Sequence, residues 1–479
     1  MKSFRVSLIG AAVSGLLSTP VWSQSLIDLY NMAKGYDAAF QSAKSLYEAN
    51  RYRADQGLAQ IMPTVGMGLT ATRSQVDFRG DTPSVGSPIA SYPGTTLSGV
   101  TQNFFATPTS YIANDGNPFK RWYLQNNATL TASQPLYRPA NLAVYRQSAK
   151  QLSQAYAQLT VAEQDLLIRV SQAYFDVLAS QDSLNFVRAQ KIAVSEQLAS
   201  AKRNFEVGTA TITDTREAQA RYDLVIAQEI AADNDLRVKR LALDTTVGIK
   251  NAAPKPLNAG TALNPTLPQD GEEWVKQSES SHPSVLNAQL AMDIAQLEIE
   301  RARAGHKPTV DLVGSYSGTR SLGGTSISGS TSSNSHVVSP TLQVVMNVPL
   351  FAGFATENRY KETVQLEDKA RQDLELARRN VAQATRTAYF GVVSGLGQVK
   401  ALEAAESSSQ VALDANKLGY SVGVRINIDV LNSQSQLFQT KRDLAKARYD
   451  VLVGSLKLRQ ASGLLKEDDL QGVNAMLER

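Results

Sequence analysis

Apolar residues recur at two different periods along this chain, and the change from one period to the other happens twice. From Leu152 they fall at Tyr156, Leu159, Leu166, Val170, Ala173, Val177 and Leu184, at gaps of three, four and seven, the spacing of helices packed by knobs into holes. The same spacing returns at Val381, Ala388, Val392, Val399, Leu402, Leu413 and Tyr420. Beside two polar stretches the period drops to two. Val65, Met67, Leu69 and Ala71 follow Pro63, and Leu124, Ala128, Leu130 and Ala132 precede Pro135. Later, Val310, Leu312 and Tyr316 follow Pro308, and Leu342, Val344, Met346 and Val348 precede Pro349. The alternate positions carry Thr, Gln, Asn, Ser and Gly. With Trp122, Tyr123, Tyr137 and Phe351 near the ends, such strands suit lipid on one face and water on the other; a soluble, half-buried hairpin alternates in the same way.

The later pattern is a second copy of the first. SQPLYRPAN at Ser133 matches NVPLFAGFA at Asn347, and SQAYFDVLAS at Ser171 matches RTAYFGVVSG at Arg386. RNFEVGTATITDTREAQARY at Arg203 matches KLGYSVGVRINIDVLNSQSQ at Lys417, with Phe205, Val207, Gly208 and Asp214 against Tyr420, Val422, Gly423 and Asp429. Upstream, LAQIMPTVGMGLTATRS at Leu58 matches RAGHKPTVDLVGSYSGTR at Arg303, and the extra residues of the first copy fall in the polar loop 80–117, whose counterpart is 318–336. The first repeat is expected over 24–250, with a helix, a strand pair 64–76/122–135, a long helix 139–207 and a helix 214–247. A linker 251–271 leads to the second repeat over 272–463, with a helix 272–305, a strand pair 309–318/337–349, a long helix 352–421 and a helix 429–461, and a tail 464–479 follows.

Lengths turn these elements into an architecture. At about 1.5 Å per residue the helix over 139–207 extends roughly 100 Å, more than a compact core needs, and the helices over 214–247 and 272–305 reach roughly 50 Å each. The chain thus descends in one piece and returns in two, with the Gly/Pro/Asn-rich linker at a waist. Four strands do not close a barrel, and open edges in lipid cost several kcal/mol per unpaired backbone group. Several copies are therefore expected to pool their strands, three of them giving a barrel of about twelve strands continued by as many helical columns.

The amino-terminal MKSFRVSLIGAAVSGLLSTPVWSQ holds Lys2 and Arg5, an apolar run from Val6 to Leu17, and Val21 and Ser23 at the positions of a cleavage site. It reads as a secretory signal over 1–23, too short in its apolar run for a membrane anchor. No later stretch holds 18 consecutive apolar residues, so a membrane role falls to the strands. Cysteine is absent, which excludes a disulfide framework, a thiolate zinc site and a lipidated cysteine. The net charge of +4 falls to +2 once Lys2 and Arg5 leave, and both signs are interspersed, so no basic face points to nucleic acid. His282, His306 and His336 lie in separate segments and read as isolated surface histidines, with no Ser/His set, phosphate loop or dinucleotide fingerprint. Neither an enzyme nor a cofactor or metal site is expected.

The paired repeat, the Pro-Thr-Val strand openings, the QPLY and VPLF strand exits, AYF in each long helix and the phrase GYSVGVRINIDVLNSQ together resemble the TolC-type outer membrane efflux family over almost the whole chain. That resemblance implies an α+β membrane protein: a homotrimeric channel-tunnel with a shared β-barrel in outer-membrane lipid and a long α-helical barrel crossing the periplasm, normally shut at its inner end. It implies a passive exit duct that meets an inner-membrane transporter through a periplasmic adaptor, with drugs and a secreted protein both open as cargo. A periplasmic or surface coiled-coil structural protein without a conducting pore would also explain heptads and signal, but not strand pairs in register with the repeat.

The resemblance also carries gate roles onto Thr213 and Asp214 in the first turn and onto Tyr420 and Arg425 in the second. Arg425 suits a carboxylate and a hydroxyl acceptor together, and Tyr420 is expected to donate its phenol to Asp214. Asp429 falls in the acidic ring of the tunnel entrance, whereas the second ring position, one helical turn on, holds the neutral Asn432 and departs from the family pattern. Asp214 and Asp429 equally suit the capping of the helices that follow them, and the two roles are compatible. Gly391, Gly395 and Gly397 each disfavour a helix by about 1 kcal/mol relative to Ala, which asks for close packing or a bend.

Overall fold

The structure, a computed structural model, describes residues 24–78, 119–258, 270–322 and 334–477. The expected signal over 1–23, most of the first polar loop and the central parts of the second polar loop and the linker lie outside the described residues. In chain order the helices are α1 (Leu26–Tyr36), α2 (Ala38–Ala59), α3 (Pro139–Glu206), α4 (Ile212–Val247), α5 (Gly271–Ser281), α6 (Pro283–Ala304), α7 (Ala355–Ser421), α8 (Asn427–Ala461) and α9 (Glu467–Asn474). The strands are β1 (Thr64–Phe78), β2 (Phe119–Tyr137), β3 (Thr309–Leu322) and β4 (Ser335–Asn347). The chain divides into two compact units, one of Met1–Arg51, Lys150–Ile294 and Asp368–Arg479, the other of Tyr52–Ala149 and Ala295–Glu367. Among the described residues no helix is long and apolar enough to cross a membrane.

The second unit holds one antiparallel sheet in the order β1-β2-β3-β4. Its register gathers the alternating apolar residues on one side. Met67 lies opposite Leu130, Leu130 opposite Tyr316, Gly314 opposite Leu342 and Leu312 opposite Val344. The other side carries pairs such as Thr70 with Asn127, Thr131 with Ser315 and Ser315 with Thr341. The apolar side is bare: Val65 is 69% exposed, Leu69 72% and Leu342 77%. Such a face, continuous across four strands, is stable only against lipid or another apolar surface. β1 and β4 each have a free edge in this sheet. Where β2 passes into α3, Arg138 donates through Nε and Nη2 at 2.7 and 2.6 Å to both oxygens of Asp311 on β3, beside a register shift between Pro135 and Tyr137.

The first unit is built from helix seams. Leu26, Leu29 and Tyr30 of α1, Tyr174 and Phe175 of α3 and Leu456 of α8 are buried in one cluster. Full burial of each such side chain stabilises by about 1.5–3 kcal/mol relative to exposure. α9, within the expected tail, adds Leu470 and Val473 to the same cluster.

Three expectations need correction. The helix expected over 272–305 is two helices, because Pro283 opens α6 and forces the residue before it out of the helical region: His282 sits at ψ 129°. The same break separates α1 from α2 at Asp37, whose carboxylate accepts from Phe40 N–H at 2.8 Å and from Arg169 at 2.8 and 3.0 Å. The long helix expected from 352 begins at Ala355, because Gly353 and Phe354 adopt left-handed φ values of 60° and 64°. His282 is not a surface histidine. It is half-buried, its Nδ1 accepts from Ser284 N–H at 3.0 Å, its ring is bonded to the Gln460 backbone, and burial holds its pKa below the ordinary value. His306 and His336 are exposed. Of the three helical glycines, Gly395 is explained by close packing, since a Cβ there would lie 2.9 Å from Val451 Cγ2; Gly391 and Gly397 have no neighbour within 4 Å of such a Cβ.

Candidate functional site

The turn between α3 and α4 and the turn between α7 and α8 lie in the same unit and share one backbone design. Gly208 and Gly423 take left-handed φ values of 78° and 77°, which glycine adopts without steric cost and which end the long helices. Behind them the bonds match one for one. Thr209 N–H and Ala210 N–H donate to Asn204 O at 2.8 and 3.2 Å; Val424 N–H and Arg425 N–H donate to Gly419 O at 2.9 and 3.1 Å.

The helices that follow are closed differently. In the first copy Thr211 is the N-cap: Asp214 N–H donates to its Oγ1 at 3.2 Å, while its own N–H and hydroxyl donate to Asp214 Oδ2 at 3.0 and 2.8 Å. This capping box satisfies two helix-end donors and holds the carboxylate in place. In the second copy Ile426 is the N-cap and offers no side-chain acceptor. Asp429, at the position equivalent to Asp214, instead lies 3.7 Å from Arg425 Nη1, with the guanidinium 58% exposed. An exposed pair of that length stabilises by about 0–1 kcal/mol.

Side chains also tie the two turns together. Asn204 Nδ2 donates to the Tyr420 hydroxyl oxygen at 3.3 Å, Asn427 Nδ2 to Asp214 O at 3.3 Å, and Arg221 Nη2 to Asn432 Oδ1 at 3.0 Å. Asn427 is buried and also bonds Gln197. Thus Asp214, Tyr420, Arg425, Asp429 and Asn432 are brought into one region, with Thr213 exposed on the first turn of α4. The donation expected from Tyr420 to Asp214 is not the bond formed within the chain, because Thr211 occupies the carboxylate and Asn204 meets the phenol. Of the two aspartates only Asp214 caps by side chain, from the third helical position of a box rather than as the N-cap. Thr211 was missed as the cap although Thr-x-x-Asp is the signal for one. Asn204, Asn427, Gln197 and Arg221 had no local signal. Among the described residues no three His, Asp or Glu side chains are grouped to hold a metal ion.

These features can be set beside known proteins. The family described as outer membrane efflux protein matches residues 29–249 and 274–464. The chain is 30% identical to outer membrane protein TolC of Vibrio cholerae over 100% of this chain and 99% of that one. It is 29% identical to the alkaline protease secretion protein AprF of Pseudomonas aeruginosa over 99% of this chain and 92% of that one. Among solved structures, the Campylobacter jejuni CmeC outer membrane channel has the same fold, with a TM-score of 0.71 at 14% identity, covering 99% of this chain and 98% of that one.

Proposed function

The chain belongs to the outer membrane efflux protein family and is an outer-membrane exit duct, and from that premise we propose that three copies form one channel gated at the paired turns. The observation that supports a shared barrel is the sheet: four strands with an apolar face, two free edges and too few members to close. Copies that join edge to edge satisfy those backbone groups. Threefold repetition then gathers six turns about one axis, with Thr213, Asp214, Tyr420 and Arg425 as gate residues and Asp429 as the acidic ring at the entrance.

The weak exposed pair between Arg425 and Asp429 suits a gate, because a docking partner needs to supply little to displace it. That partner is a periplasmic adaptor working with an inner-membrane transporter, which provides the energy; the duct itself passes cargo without chemistry. Either small molecules or a secreted protein fit a wide water-filled passage. Native mass measurement in gentle detergent, together with bilayer recording, tests this reading. Trimers that conduct support it, and a monomer that inserts no channel overturns it.

A further inference from the structure

The two sides of the sheet carry charge against expectation. The polar side, which suits a water-filled passage, is uncharged from the helix end out to the row of Thr72, Gln125, Ser321 and Ser335, apart from Asp311, which Arg138 neutralises. The apolar side holds Arg73, Arg320 and His336, all exposed. Out to Gln75 and Trp122 no carboxylate stands on that side to pair with them, and Asp77, two rows beyond Arg73, lies opposite Lys120. An arginine facing lipid costs about 2–4 kcal/mol at mid-membrane and about 0–1 kcal/mol near the interface, so depth decides what these residues do.

The helices join the sheet beside Thr64, Tyr137, Thr309 and Asn347, so Arg73, Arg320 and His336 lie towards its other end. From Val310 and Met346 to Arg320 and His336 the paired strands run about 34 Å along their length. At the usual tilt that is about 25 Å across a bilayer, the height of an outward-facing apolar band. In an outer-membrane duct whose helices stand in the periplasm, the two arginines therefore meet the headgroups of the outward leaflet.

The register gathers them into one patch. Arg320 lies opposite Asn126 on β2 and His336 on β4, and Arg73 lies one row further out, opposite Leu124. Two strands and one row separate the arginines, about 12 Å between Cα atoms, which side chains of that length bridge to a single headgroup. The Arg73 guanidinium stands over the Trp122 ring at 4.5 Å, and Trp122 is itself 52% exposed. A guanidinium held against an indole face keeps N–H groups free for an acceptor with two oxygens to offer.

We propose that this patch binds a phosphate-bearing glycolipid of the outward leaflet, of the lipid A type, with Arg73 and Arg320 each donating to a phosphate and Asn126 and His336 donating beside them. Arginine suits a phosphate monoester because its fork meets two oxygens at once. A headgroup with two phosphates satisfies both arginines, whereas a phosphodiester lipid brings one charge. The inference rests on the apolar side of the sheet facing lipid, and uses neither the gate nor the number of copies.

Arg73→Gln with Arg320→Gln takes charge off a lipid-facing side, so this variant should insert as the wild type does. The full chain, in gentle detergent, is mixed with lipid A, with lipid A stripped of its phosphates, and with phosphatidylglycerol, and retained lipid is counted by native mass spectrometry. Wild type should retain lipid A about tenfold better than either of the others, even in excess inorganic phosphate, and the double variant should lose that preference. Trp122→Leu, which removes the stack and no charge, should weaken retention several-fold and covers the case in which the double variant does not insert. Equal retention of phosphatidylglycerol, displacement by inorganic phosphate, or undiminished retention in both variants overturns the inference. Wild type that inserts and conducts without preferring lipid A overturns the inference and leaves the duct standing; wild type that enters no membrane overturns both.

Discussion

In the first turn, Thr211 and Asp214 each accept from the other's backbone through a side chain; in the second, Ile426 offers only its carbonyl, which accepts from Asp429 N–H at 3.1 Å, and the Asp429 carboxylate faces Arg425 across 3.7 Å. The backbone around them is otherwise the same, down to the glycine and the two amides that return to one carbonyl. The two turns share the bend and differ in its fastening. The first turn is fastened to itself, so its carboxylate is committed. The second holds its carboxylate and guanidinium in a loose exposed pair, available to other partners, which in the proposed gate makes it the half able to move at low cost.

The largest effect that would separate the turns is on conductance. Arg425→Ser should raise single-channel conductance several-fold, while Thr211→Val, which removes the box, should leave it near the wild-type level. Equal rises in both variants would erase the functional difference between the turns.

Cation block sharpens the same comparison. Asn432→Asp should deepen block by a trivalent cation, but only in part, because Arg221 already lies 3.0 Å from that side-chain oxygen and would neutralise the new charge. Adding Arg221→Gln should deepen the block further. No increase in either variant would remove residue 432 from the entrance.

Stability should follow the fastening. Thr211→Val is expected to destabilise the start of α4 by about 1 kcal/mol, read by local amide exchange, whereas Ile426→Val should change the start of α8 by less than about 0.5 kcal/mol. Ile426→Thr should rebuild a box with Asp429, draw it from Arg425 and stabilise α8 by about 0.5–1 kcal/mol.

The smallest effect is on pH, at the equivalent breaks Asp37 and His282. The hydrogen bond from Arg169 holds the Asp37 carboxyl below its ordinary value of 3.8, so its contribution is present above that pH and is lost only in stronger acid. Burial holds His282 below 6.5, with the neutral ring as the native form; its contribution is full above pH 6.5 and is lost as the pH falls towards the folded value. As the pH falls below 6.5 the junction of α5 and α6 should loosen while that of α1 and α2 holds, and His282→Gln should abolish the difference.

Much of this was legible in the sequence. Alternation around Met67, Leu130, Tyr316 and Leu342 marks the strand faces because burial on one side of a strand repeats every second residue. Gly208 and Gly423 mark both turns because a left-handed position has few other occupants. The break at His282 was missed although its cause, Pro283, stands in the sequence after a polar stretch over 276–282. The fastening of the turns was half visible: Thr-x-x-Asp is local, but Asn204 with Tyr420 and Arg221 with Asn432 join residues 216 and 211 positions apart, where no periodicity reaches.

Amide exchange on the assembled wild-type protein, comparing residues 211–217 with residues 426–432, tests the claim on which the rest depends. Faster exchange in the second turn, slowed by Ile426→Thr, is the expected result. Equal protection of the two, or faster exchange in the first, would contradict a gate that moves on its uncapped turn.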